Sequence, residues 1–95
     1  MVHELKTDMG HFQAVLDDNK TCEIRFNDRN FKLWDILVLR ETQATGEQMK
    51  RGMPLIYTGR EIRAWVTHII RGPECGIAAG WVVMSIKLSS RARIK

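Results

Sequence analysis

The run from Arg60 to Arg71 constrains the fold more than any other part of the chain. It contains no glycine or proline, and its apolar residues recur at every second position. That is the period of a β-strand, whose side chains alternate between two faces. Ile62, Ala64, Val66, His68 and Ile70 are expected on one face. Glu61, Arg63, Trp65, Thr67, Ile69 and Arg71 are expected on the other. Gly72-Pro73-Glu74-Cys75-Gly76 ends the strand. A strand of this length is not stable alone, so the chain must build a sheet around it.

The partners are legible on either side. Residues 2–6 read as a short strand, and Thr7 or Asp8 can cap a helix. Met9, Phe12, Val15 and Leu16 then fall at helical spacing. Asn19 suits the left-handed turn that ends the helix. Asn27-Asp28-Arg29-Asn30 is a turn by composition, and Ile36 to Glu41 is a strand buried on both faces. Thr42 to Tyr57 reads as a long polar loop, either a binding loop or disordered. Trp81 to Leu88 closes the series. About five strands with one or two short helices give an α+β domain with a small, mixed, closed sheet.

Lys20-Thr21-Cys22-Glu23-Ile24-Arg25 follows the helix directly. Strand alternation sends Glu23 and Arg25 to one face and Cys22, Ile24 and Phe26 to the other, with Lys20 at the mouth. An ammonium, a carboxylate and a guanidinium so close suit a polar ligand that both donates and accepts hydrogen bonds. The expected arrangement is a concave site with Cys22 and Ile24 buried behind it. The competing readings are a self-satisfied ion pair on a solvated edge, and a Lys20 that merely caps the helix.

Ninety-five residues make one domain, placed at 1–88, with a basic tail at 89–95. The net charge of +4 falls to +1 without Arg91, Arg93 and Lys95, so attraction to phosphate is concentrated at one end. No apolar run approaches a membrane span, and Met1-Val2-His3-Glu4 does not open a secretory signal, so a cytoplasmic protein is expected. Cys22 and Cys75 lie far apart and share no ligand spacing with His3, His11 or His68, so neither a metal nor another cofactor is expected. Trp34, Trp65 and Trp81 read first as core; the competing role is a stacking platform for single-stranded RNA.

Several segments together resemble a known family. Lys20 to Arg25 matches the G-x-K-x-x-E-x-R pattern of ASCH domains in the PUA-like superfamily, with Asn19 and Lys20 in its Gly-x-Lys region. His3-Glu4-Leu5-Lys6 resembles the opening strand of that family and Met9 to Asp18 its first helix. Lys32-Leu33-Trp34-Asp35 resembles the segment that usually reads as Gly-Asp before a hydrophobic strand, and Tyr57-Thr58-Gly59-Arg60-Glu61 and Gly80-Trp81-Val82-Val83 resemble the later strands of a small prokaryotic and phage subfamily of unknown function. The resemblance covers most of residues 3–88 and implies a PUA-like mixed β-barrel of about five to six strands.

It also implies a ligand. ASCH domains are generally thought to bind RNA, so RNA or a nucleoside-type ligand is expected in a cleft lined by Lys20, Glu23 and Arg25, helped by Arg60 and Tyr57. One similar branch hydrolyses acetylated cytidine with a lysine base at the position of Lys20 and a threonine nucleophile three residues on. Here that position is Glu23, and a carboxylate does not replace an activated hydroxyl without a change of mechanism. A binding domain is therefore favoured over an enzyme. The alternative is a small hydrolase acting on a modified nucleoside or on RNA, with Lys20 and Glu23 as its catalytic pair.

Overall fold

The computed structural model describes residues 1–89 of the chain. The elements are β1 (Val2–Asp8), α1 (Met9–Leu16), β2 (Cys22–Phe26), β3 (Ile36–Thr42), α2 (Gly46–Lys50), β4 (Tyr57–Arg71), a 3-10 turn (Glu74–Gly76) and β5 (Trp81–Leu88). The strands form one sheet in the order β1-β3-β4-β5-β2. Only β1 and β3 run parallel; the other pairs are antiparallel. The sheet curls into a half-barrel, an α+β fold of the class expected from the pattern. No helix among the described residues is long and apolar enough to cross a membrane.

The core fills the concave side. Leu5, Leu37, Leu39, Ile62, Val82 and Met84 meet Phe12 and Val15 of α1 there. Asp8 starts α1, because its carboxylate accepts from the His11 N–H at 3.0 Å and satisfies one orphan donor of the first turn. The helix ends one residue earlier than expected: Asp18, not Asn19, takes the left-handed conformation (φ 61°). β3 is buried on both faces along most of its length, as its unbroken apolar run requires.

Three expectations need correction. The faces of β4 do not hold phase to its end, because its register against β5 slips between Val66 and His68. A bulge adds one residue to one strand, so every side chain beyond it changes face. Ile69 therefore joins the core, and His68 is exposed. The segment 42–57 is not all loop. Thr45 and Gln48 form a reciprocal capping box, each side chain bonding the other's backbone N–H, and so start α2. The tryptophans are not core: Trp34, Trp65 and Trp81 are 65%, 40% and 42% exposed. Of the expected basic tail, residues 90–95 lie outside the described residues.

Candidate functional site

β1 and β2 are the two margins of the sheet, and a cleft of about 880 Å³ lies along them. That volume is in the range of small-molecule sites. Guanidinium groups bridge the margins. Arg25 Nη2 donates to the Lys6 carbonyl at 2.7 Å, and Arg29 Nη1 to the Glu4 carbonyl at 2.8 Å. Two β1 carbonyls that a closed barrel would pair with a strand are thus paired with side chains.

Lys20, Glu23 and Arg25 come together in this cleft, as the sequence predicts. Lys20 Nζ donates to Glu23 Oε1 at 3.1 Å, and Arg25 Nε donates to Glu23 Oε2 at 3.1 Å. The Glu23 side chain is 3% exposed, against 22% for Lys20 and 29% for Arg25. A carboxylate buried to that degree is costly unless both oxygens are satisfied, and here both are. The consequence is an asymmetry. Each Glu23 oxygen already has a cationic donor, whereas Lys20 and Arg25 keep N–H groups to spare. The triad therefore offers the cleft donors and positive charge.

The side of β2 expected to be buried is the exposed one. Ile24 and Phe26 are 56% and 54% exposed, and Cys22 is half-buried. The cause is the register with β5, which pairs Glu23 with Met84, Arg25 with Val82, Ile24 with Val83 and Phe26 with Trp81. Directly opposed residues share a face. Val82 and Met84 belong to the core, so Glu23 and Arg25 must face inward with them. Ile24 and Phe26 turn outward beside Trp81. Because β2 is a margin, both faces border the opening, and Ile24, Phe26 and Trp81 line the cleft too.

Arg60 and Tyr57 are not brought into the cleft. Arg60 makes a two-pronged contact with Glu41, Nε to Oε1 at 2.9 Å and Nη2 to Oε2 at 3.0 Å, and reaches Gln13 Oε1 at 3.1 Å. Its guanidinium also lies 4.8 Å from the Phe12 ring centre. The Arg60 hydrogen bonds hold the Glu41 carboxyl below its ordinary range against the opposing effect of burial, and the Thr58 hydroxyl adds to this. Arg60 straps β4 to β3 and α1. Tyr57 lies 3.8 Å beneath the Arg40 guanidinium.

Sequence reasoning missed several lining residues. Lys50 comes from α2, for which the Thr45-x-x-Gln48 capping signal was the available clue. Lys6 and Arg29 add positive charge, while Asp8 and Asp28 add negative. Thr7, read only as a possible helix cap, is 4% exposed, lines the cleft, and has a hydroxyl oxygen with no hydrogen-bond partner. No cluster of metal-ligating side chains occurs among the described residues.

The chain is similar to an uncharacterised 12.9 kDa protein in the GpA 3′ region of Escherichia phage P2, with 31% identity over 68 residues. The match takes in 72% of this chain and 53% of the phage protein, so the chain spans about half the length of that relative. A family model also matches residues 2–86, which hold every strand but the last two residues of β5 and the whole Lys20–Glu23–Arg25 cleft. The chain belongs to the family described as a domain of unknown function, DUF3850.

Proposed function

We infer that the chain is an ASCH-type, PUA-like domain that binds RNA or a nucleobase-containing ligand in the cleft between β1 and β2. The observation that carries this reading is the Lys20–Glu23–Arg25 triad, in which a buried carboxylate holds two partly exposed cations at the wall of an open cleft. The cations are held in place before a ligand arrives, so less side-chain entropy is lost when an anion or carbonyl docks. Phosphate oxygens meet Lys20 and Arg25, and the aromatic rings at the rim supply a surface for a base. A cytoplasmic setting and a phage or prokaryotic role go with this reading.

Binding is favoured over hydrolysis because both oxygens of Glu23 are already taken by cations, and a water to be activated would have to compete with them. The test pairs fluorescence titration of single-stranded RNA with an acetate-release assay on acetylcytidine. The expected result is salt-dependent binding, weakened in Lys20→Met, and no acetate. Acetate release by the wild type, abolished in both Lys20→Met and Glu23→Gln, would replace the binding reading with the hydrolase. Absence of RNA binding at low salt would remove the RNA reading.

A further inference from the structure

The cleft has two chemically different lips on opposite faces of one strand. On the inner face of β2, Glu23 and Arg25 sit with Lys20. Ile24 and Phe26 occupy the outer face, with Trp81 directly across from Phe26. The Phe26 and Trp81 rings meet edge to face, 6.0 Å between centres and 75° between planes. This leaves ring surface open, and Phe26 and Trp81 are 54% and 42% exposed. The pair is also built to stay put. Gly80 adopts φ 86°, and a Cβ there would stand 2.9 Å from the Phe26 ring. The Gly80 carbonyl accepts from the Asn27 N–H at 2.8 Å, tying down the ends of both strands.

Opposite faces of a strand point away from each other, so one small ligand cannot rest on both. A chain of linked nucleotides can. We propose that the site takes a single-stranded RNA segment of at least two nucleotides that crosses the free margin of β2. One base stacks on the outer Phe26–Trp81 pair, and the adjoining nucleotide enters the cleft. Its phosphate meets Lys20 and Arg25. Two observations support this arrangement. The exposed aromatic pair, with Ile24 beside it, lines the same cleft as the cations, which suits a ligand carrying both rings and negative charge. Finally, β2 pairs on one side only, which leaves its margin open to be crossed. The proposal rests on the RNA reading above and sharpens it to a minimum ligand length and a strand path.

The test uses the full chain and two probes, uridine 5′-monophosphate and hexauridylate, titrated at low salt by calorimetry. The wild type is expected to bind the hexamer about 10–100-fold more tightly than the monophosphate, the range of one added stacking contact. In Trp81→Leu the hexamer should fall to within about threefold of the monophosphate. Trp65→Leu, at an exposed tryptophan outside the cleft, should keep the full gain. Lys20→Met should weaken both probes by about 10-fold or more, the worth of one charge-assisted hydrogen bond.

A length gain that survives in Trp81→Leu would overturn the crossing path. Wild-type affinity for the monophosphate in Lys20→Met would overturn the inner contact. If Lys20→Met weakens the monophosphate while the wild type gains nothing from added length, the cleft reading stands and the crossing fails. If the wild type binds neither probe, both fall together.

Discussion

Glu23→Gln tests whether the triad is a structural unit as well as a binding surface. The carboxylate is 3% exposed and takes one cationic hydrogen bond on each oxygen, both at 3.1 Å. Glutamine keeps one acceptor but turns an amide N–H₂ toward the other cation. One charge-assisted hydrogen bond is lost, worth about 1.5–3 kcal/mol, and a donor is left facing a donor. The full penalty for stranding a buried charge, about 3–5 kcal/mol, does not apply, because the Lys20 and Arg25 side chains are 22% and 29% exposed and can turn to water. The expected loss is about 2 kcal/mol of unfolding free energy. For a domain of this size that corresponds to a fall of roughly 8–16 °C in Tm. Urea unfolding followed by tryptophan fluorescence measures it, with an unchanged m-value as the sign that only stability moved. A loss below about 0.5 kcal/mol, the scale of an ordinary surface substitution, would refute the claim that Glu23 anchors the two cations.

Acid should destabilise the fold through two carboxylates. At Asp35, burial works upward but is outweighed by hydrogen bonds from His3, the Lys32 N–H and the Met1 ammonium, which hold the carboxyl below its ordinary 3.8. Glu41 is held below 4.5 by Arg60. A group depressed on folding stabilises above its unfolded pKa and loses that contribution as pH falls through the folded one. The urea midpoint should therefore vary little on account of these two groups between pH 7 and about 5 and fall below about pH 4; a midpoint unchanged at pH 3 would contradict the assignment. Gly80→Ala should cost about 1–2 kcal/mol for the left-handed backbone alone and displace Phe26, seen as a lowered Tm and an altered Trp81 emission. If RNA is bound, deleting residues 89–95, with Arg91, Arg93 and Lys95, should flatten the salt dependence of affinity without changing any base preference; an untouched slope would place the tail away from the RNA.

The strands were legible because their apolar periods are local properties of the chain. The grouping of Lys20, Glu23 and Arg25 was legible for the same reason, since short spacing on a strand fixes who is near whom. Which way the group faced was not. That depends on Val82 and Met84, nearly sixty residues on, whose packing sets the register that turns Glu23 inward. The bulge after Val66 was hidden likewise, because nothing in Val66-Thr67-His68 marks an extra residue until β5 is laid beside it. Arg60 was misplaced for a different reason. Its nearest strong acceptor, Glu41, lies on a neighbouring strand, and pairing across strands is invisible to spacing along one. The long segment from Thr42 hid a helix behind a polar composition, although its Thr45-x-x-Gln48 box was readable.

The strand order has a consequence for how the site comes into being. β3, β4 and β5 pair as sequence neighbours, whereas β1 joins only β3 and β2 joins only β5. Adjacent antiparallel strands close short loops and are the cheaper to form. The two margins are therefore expected to dock onto a three-stranded centre, with the cleft, made from both of them, the last part to assemble and the first to open. Native-state hydrogen exchange should find β1 and β2 amides less protected than those of β4. A ligand bound across the two margins would act as the missing staple, raising protection at the edges while leaving the centre unchanged. If the cleft binds as proposed, the least durable part of the sheet is also the part that would recognise the ligand, and occupancy and local folding become one equilibrium.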